Sequence, residues 1–262
     1  LIAEFEPAGD TATAHGRLYP LVRSFISQMR EEESVDELCE RSARFIKRIT
    51  GFGRVNTYRF DKDGNGVVNA EAADAGYPSY LGLCFPASDI PAQARELYCA
   101  NRIRIIADAD YIPSPIIPAN NPATQGPLDL SYATLRSVSP VHLQYMRNMG
   151  TGASMSISIV VDGHLWGLVS CHNTAPLPVS FQTRSACELL GRVLSLQVET
   201  KEAHVRNQRM LSLRKDIVRM LAAMADHDSV FKGLRAQPDT FIRFVGAHGA
   251  AMVSDEECHL FG

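Results

Sequence analysis

Arg136, His142 and Tyr145 fall together within the stretch Leu135–Gly150, framed by Pro140 and an apolar spacing of helical period. A fixed cation, a titratable imidazole and a flat aromatic surface are what an anionic aromatic ligand requires of its host. His142 and Tyr145 stand three residues apart, so an expected helix presents them on one face. Residue 141, immediately before the histidine, is Val, so no thiol lies beside the ring.

Other segments carry groups that suit the same chemistry. In Phe85–Tyr98, Ser88 or Asp89 reads as the N-cap of a helix with Pro91 in its first turn. The same geometry leaves the carbonyl and carboxylate of Asp89, next to Ile90, free to face the N–H groups of a ligand. The alternating segment Asn101–Ile106 puts Arg102 and Arg104 on one face. That face reads either as a solvated strand edge or, with Arg136, as a pair of cations that grips carboxylates bidentately, which lysine does less well. Ser154, Ser156 and Ser158 alternate with Met155, Ile157 and Ile159. The serine side is either a hydroxyl-lined surface for a carboxylate-bearing ligand or a face covered by another element. His172 ends an apolar strand, as a satisfied polar partner or as a ligand contact.

Asp61, Asp63, Asn65 and Gly66 match the first half of a calcium loop of the EF-hand type. Position twelve is Ala72, Glu71 comes one residue early, and the flanks read as strands, so calcium is rejected. No phosphate-binding glycine loop, HExxH or nucleophile elbow is present, and no catalytic site is expected.

The elements that must position these groups follow from periodicity. Residues 17–30 and 34–50 have helical apolar spacing, with Ser34 and Glu37 as a capping box and Gly51 closing the second helix. Residues 54–60 and 67–71 form a hairpin around the turn 61–66. Five prolines in 105–133 predict a long loop, a length usually tied to function. A second hairpin joins 154–161 to 165–171 through Asp162-Gly163, a strong type I′ signal. From Phe181 to about Ala225 a single helix is expected, apolar at both ends and polar in the middle, as in a helix bridging domains. Residues 226–262 would open another domain, with Phe241–Val245 as a strand. The order predicts an α+β fold: a central antiparallel sheet flanked by helices, with a long C-terminal connecting helix.

The chain has 262 residues, 45% hydrophobic and 21% charged, with a net charge of −3. That is enough for one or two domains and implies no broad basic surface for nucleic acid or membrane. Six scattered cysteines without CxxC spacing read as reduced thiols of a cytoplasmic protein, and no signal peptide or spanning run is visible. Leu1–Pro7 alternates like a strand without an initiator Met. The chain stops at Gly262 without a terminal signal, so a fragment of a longer protein is expected.

Taken together, the blocks Tyr58–Asp61, Phe85–Pro91 with Gln93-Ala-Arg95 and Tyr98, Leu135–Pro140 through Asn148–Gly150, and Ala153–Ser158 through Leu165–Leu168 to Cys171-His172 resemble the phytochrome family. The resemblance is to the bilin-binding GAF domain of bacteriophytochromes and spans most of residues 30–200. It implies residues 1–16 as the end of a PAS domain, 17–205 as the GAF domain, and 206–262 as the connecting helix and the start of a PHY domain. It implies a linear tetrapyrrole, biliverdin, in the GAF pocket. The Asp89 carbonyl and His142 would lie near the pyrrole nitrogens, and Arg104 and Arg136 on propionates with Ser154 and Ser156. Tyr58, Tyr145 and His172 would surround the ring that flips. A red/far-red photoreceptor module relaying to an output domain, often a histidine kinase, is then expected, as a homodimer through the long helix. A GAF domain used for ligand sensing or dimerisation without photochemistry is the alternative.

Four positions depart from the family pattern. Plant-type phytochromes attach the bilin through a Cys where Val141 stands, and bacteriophytochromes through a Cys upstream of the PAS domain, so no covalent attachment is expected within residues 1–262. Cys84, Asn173 and Asn56 occupy places usually taken by other residue types. Cys84 reads as a buried or idle thiol, or as one near the pigment.

Overall fold

The computed structural model describes residues 2–6, 11–29, 32, 34–227, 229–253 and 258–261. Two helices come first, α1 (Thr11–Met29) and α2 (Val35–Thr50). Ser34 caps α2 as expected: its hydroxyl accepts from the Glu37 N–H at 3.2 Å, and the Glu37 carboxylate accepts from the Ser34 N–H at 3.0 Å. The strands β1 (Arg54–Phe60) and β2 (Gly66–Ala73) form the first hairpin. In its turn the Asp61 carboxylate accepts from the backbone N–H groups of Asp63 and Asn65 and from the Asn65 amide, so it is consumed in shaping the turn.

The short strand β3 (Cys84–Phe85) leads through a 3-10 turn, Ala87–Asp89, into α3 (Ala92–Ala100) and β4 (Ile103–Ile106). Then come α4 (Pro140–Asn148), β5 (Ala153–Val161), β6 (His164–Asn173) and α5 (Phe181–Ala225). Asp162 and Gly163, at φ 50° and 77°, give the β5–β6 hairpin the left-handed turn that the Asp-Gly pair predicts. All pairings are antiparallel, and the sheet order is β3-β2-β1-β6-β5-β4. The α+β fold with a central antiparallel sheet is the one expected from the sequence.

The sheet has two unlike faces. On one, Val55, Met155, Ile157, Ile159, Val169 and Cys171 join Phe25, Leu38, Ile46, Leu190 and Leu194 of the helices in a single dry core. Gly191 makes the close seat of α5 possible, because a Cβ there would collide with the Ile157 side chain. On the other face, residues in register form polar rows across the strands. Arg54, His172 and Ser154 are aligned in β1, β6 and β5, and Asn56, Ser170, Ser156 and Arg104 in β1, β6, β5 and β4.

Residues 107–139, between β4 and α4, hold no helix or strand beyond one isolated bridge, Asn120 to Pro127. Two expectations about local structure fail in this unit. Residues 2–6 form no strand (Leu1 and Pro7 lie outside the described residues); they are held instead by Glu4, which accepts from the Leu135 N–H at 2.6 Å, and by Glu6, which pairs with Arg184. Neither Ser88 nor Asp89 caps α3, because the 3-10 turn and the extended Ile90 intervene and Pro91 takes the N-cap position.

The chain divides into two compact units, Leu1–Thr200 and Lys201–Gly262. Besides the end of α5, the second contains α6 (Val230–Arg235), α7 (Pro238–Val245) and a hairpin of β7 (Ala250–Val253) and β8 (Cys258–Phe261). The segment Phe241–Val245, expected as a strand, is helical. Pro238 starts the helix, Gly246 caps it, and Arg243 grips Asp216 with two bonds at 2.6 and 3.0 Å. Among the described residues no helix is long and apolar enough to cross a membrane.

Candidate functional site

A cavity of about 630 Å³ opens on the polar face of the sheet. Its floor is β1, β4, β5 and β6, and its walls are the turn before α3, α3 itself, and α4. Tyr58, Asp89, Ile90, Arg104, Arg136, His142, Tyr145, Ser154, Ser156 and His172 all line it. The structure thus brings every predicted site residue to one place, from segments far apart in the chain. Arg102 and Ser158 do not reach it; Ser158 is fully buried in its strand.

Asp89 owes its position to the first hairpin. Arg95 donates from Nε to the Ile90 carbonyl at 2.8 Å and from a second nitrogen to the Gly64 carbonyl, while its guanidinium lies 4.6 Å from the Phe60 ring centre. The Ala87 N–H donates to Asn65 Oδ1 at 3.2 Å. The turn carrying Asp89 is therefore fastened to the turn at 61–66. Across the cavity, α4 is seated by Leu143 and Met146, which pack with Ile106, Ala109, Tyr111 and Val138. That seat turns His142 and Tyr145 inward, their rings 6.3 Å apart and nearly parallel. The Tyr145 hydroxyl donates to Asp89 Oδ2 at 3.2 Å and links the two walls.

The electrostatics are uneven. Arg104 lies over the Tyr98 ring at 4.8 Å, and its Nε and Nη2 are buried without hydrogen-bond partners. Burial, and then the neighbouring charge of Arg136, lower its pKa. Among the described residues neither arginine has an ion-pair partner, so two cations meet at one end of the cavity with nothing to neutralise them. His142 is open to the cavity, yet enclosure within its walls and the charge of Arg104 push its pKa down. His172 is held to about 3, by burial first and then by Arg54 and His142. Burial raises both phenols, Tyr145 to about 12 with help from Asp89, and Tyr58 further. The tyrosines are therefore neutral donors at ordinary pH.

Such a site suits an elongated ligand with acidic groups at one end, N–H groups along its length and an extended flat surface. The two orphaned nitrogens of Arg104 are the plainest sign, since a buried unpaired donor costs roughly 1–3 kcal/mol and marks a place where a ligand acceptor belongs.

The GAF domain family model matches residues 34–201. The chain belongs to the GAF domain family. This GAF domain is 41% identical over 253 residues to cyanobacterial phytochrome B of Nostoc sp., covering 96% of this chain and 34% of the relative. It is 42% identical over 229 residues to a bacteriophytochrome of Pseudomonas aeruginosa, covering 87% and 31%. The crystal structure of the R. palustris bacteriophytochrome RpBphP3 superposes with a TM-score of 0.85 at 42% identity, covering 97% of this chain and 51% of that one. The chain thus spans about a third of the length of these curated relatives.

Sequence reasoning missed Arg54 and Ser170 around the site. Arg54 is four residues from Tyr58 and Ser170 two from His172, so period-two alternation already put both on the polar face. Of the departures from the family pattern, Asn173 clamps the strand ends, its Oδ1 accepting from the Gly53 N–H at 3.1 Å and from the Tyr77 hydroxyl at 3.3 Å. Asn56 is fully buried on the polar face with its amide unpaired. Cys84 is exposed on β3 and does not line the cavity, so it is not a buried thiol. Val141 does line it and is 80% exposed.

Proposed function

We propose that this GAF domain is the pigment-binding part of a red/far-red photoreceptor and that its ligand is the linear tetrapyrrole biliverdin. The observation that carries the reading is the convergence of ten residues from separate segments on one cavity with an unneutralised arginine pair. Arg104 and Arg136 hold the ligand's two carboxylates, with Ser154 and Ser156 adding hydroxyl donors. The Asp89 carbonyl and His142 serve the N–H groups at the centre. Tyr58, Tyr145 and His172 enclose the far end and leave room for a ring to turn. When bound, the bilin supplies light absorption and a double bond that isomerises.

In this reading residues 1–16 end a PAS domain, 17–205 are the GAF domain, and 206–262 carry the connecting helix and the start of a PHY domain. The long helix relays the change to an output domain of the sensor histidine kinase type and its response regulator. It also joins two copies, which the exposed Phe181, Leu189 and Leu196 support. The protein works in the cytoplasm. With Val141 beside His142, the pigment stays non-covalent within this chain.

The test is to add biliverdin to the purified chain and record absorption before and after red and far-red illumination, with a more reduced bilin in parallel. A far-red band that changes reversibly with light is the expected result. No band with either bilin overturns the reading, and a band only with the reduced bilin overturns biliverdin alone. Pigment that leaves the protein on a denaturing gel meets the non-covalent expectation.

A further inference from the structure

We propose that the turn 61–66 is a socket for the turn that carries Asp89, and that Arg95, outside the cavity, is a positioning residue that presents the Asp89 carbonyl to the ligand. The pigment at the receiving end rests on the reading above; the seating of the turn does not.

The socket is built from the run Asp61-Lys-Asp-Gly-Asn-Gly66, which has half the pattern of a calcium loop. Asp61 directs its carboxylate into its own turn. The Asn65 amide donates to it at 3.0 Å, and the Asp61 N–H donates to the Asn65 carbonyl at 2.9 Å. With its amide nitrogen held this way, Asn65 presents Oδ1 to the Ala87 N–H, which donates at 3.2 Å. Gly64, at φ 86°, turns its carbonyl toward α3, where Arg95 Nη2 donates to it. Two acceptors of one turn are thus aimed at the segment that carries Asp89. Beside them Gly66 pairs with Phe85 in the β2–β3 ladder.

Arg95 converts that seat into an orientation. Its Nε donates to the Ile90 carbonyl at 2.8 Å, and the Phe60 ring centre lies 4.6 Å from the guanidinium. Ile90 is extended, at φ −128° and ψ 85°. In extended backbone, successive carbonyls point to roughly opposite sides. Holding the Ile90 carbonyl on the Arg95 side therefore directs the Asp89 carbonyl to the cavity side. Asp89 and Ile90 line the cavity, and Arg95 does not. The planar fork of arginine reaches the Ile90 and Gly64 carbonyls at once, which a lysine ammonium does not. A Cβ on Gly64 would stand 3.0 Å from the guanidinium, so a side chain there would push Arg95 off its carbonyls. From the other wall, the Tyr145 hydroxyl donates to the Asp89 carboxylate and so reports where the turn sits.

The test uses the full chain without ligand, with tyrosine ¹³C-labelled at Cζ and Tyr145 assigned through Y145F. R95M is expected to move the Tyr145 resonance toward that of a free phenol. Tyr111, which accepts from the Val138 N–H at the seat of α4, should stay in place. R95K should move Tyr145 less, and G64A should act as R95M does while keeping the arginine. An R95M that is folded by the Tyr111 signal but leaves Tyr145 unmoved overturns the proposal. Should R95M fail to fold, N65A decides: it removes the acceptor of the Ala87 N–H, and an unmoved Tyr145 counts against the socket. With biliverdin added, R95M should take up pigment as before. The alkaline pH at which the far-red band fades should fall by about one unit, a tenfold change of the size expected for one lost hydrogen bond to a charged group. An unchanged midpoint overturns the part given to the carbonyl. If no pigment binds the unaltered chain, the tyrosine resonances still decide the seating, so this idea and the proposed function fail separately.

Discussion

Along β5 and β6, neighbouring residues live in two environments. Met155, Ile157, Val169 and Cys171 are fully buried in the core shared with α1, α2 and α5. Ser154, Ser156, Ser170 and His172, one position away, face the cavity. The helix face packs apolar side chain against apolar side chain. The cavity face holds the unpaired atoms of Arg104 and Asn56 and, among the described residues, a cation pair without an ion-pair partner. One face is optimised for the folded chain alone, and the other is complete only in the presence of something else. Stability and binding should therefore separate by side of the sheet, although the residues concerned are adjacent.

The largest effect should come from the helix face. Ile157→Ala removes a fully buried side chain and is expected to cost about 2–5 kcal/mol in urea unfolding, while the molecules that remain folded bind biliverdin as before. A loss of affinity matching the loss of stability would break the comparison.

On the cavity face the signs should reverse. Arg104→Met removes a partly buried cation with unpaired nitrogens, so the ligand-free chain should be no less stable. Biliverdin affinity should fall about tenfold or more, as for loss of charge-assisted bonds worth roughly 1.5–3 kcal/mol. Arg136→Ala should weaken uptake in the same direction, and His142→Ala should alter pigment protonation more than uptake. Titration of the pigment spectrum and parallel melts check all three.

Acid should strike through the cavity face. The folded chain holds the His172 pKa at about 3 against an ordinary 6.5, so the unfolded chain takes up the proton first. The stabilisation is complete above pH 6.5 and is lost as the pH falls toward 3, by up to about 1.4 kcal/mol per pH unit for one proton. His172→Asn should flatten that dependence in melts between about pH 7 and 4.

The smallest effect is in thiol chemistry. Exposed Cys84 and Cys258 should react quickly with a maleimide. Cys39, Cys171 and Cys187, raised by burial (Cys39 to about 11 and Cys187 to about 12), should stay unmodified until the chain unfolds. Fast labelling of Cys171 would mean that the dry face opens.

Much of this division was legible in the sequence. The serine alternation of 154–158 against Met155 and Ile157 predicted two faces, and the capping box, the Asp-Gly hairpin and the helix from Phe181 each have a strong local signature. The site residues were legible as a set because three chemical types recur near motif blocks that resemble one family. What escaped was set by contacts remote in the chain. Phe241–Val245 is rich in the aromatic and β-branched residues that strands favour, but its apolar pairs spaced three apart also fit a helix, and Pro238, Gly246 and the Arg243–Asp216 pair settle it as one. Arg54 looked like an ordinary strand residue, since Pro78, Tyr80 and His172 meet it only through the fold. Ser158 has the right face and the wrong depth, which periodicity does not encode.

The missing side chain at Gly191 has a mechanical meaning. It lets α5 rest directly on Ile157, whose chain neighbours Ser156 and Ser158 belong to the opposite face. Packed cores resist compression, so β5 behaves as a diaphragm rather than a cushion. A displacement of the cavity floor by a fraction of an ångström is delivered to the helix with almost no slack. Between the cavity and the helix there is only the thickness of a single backbone.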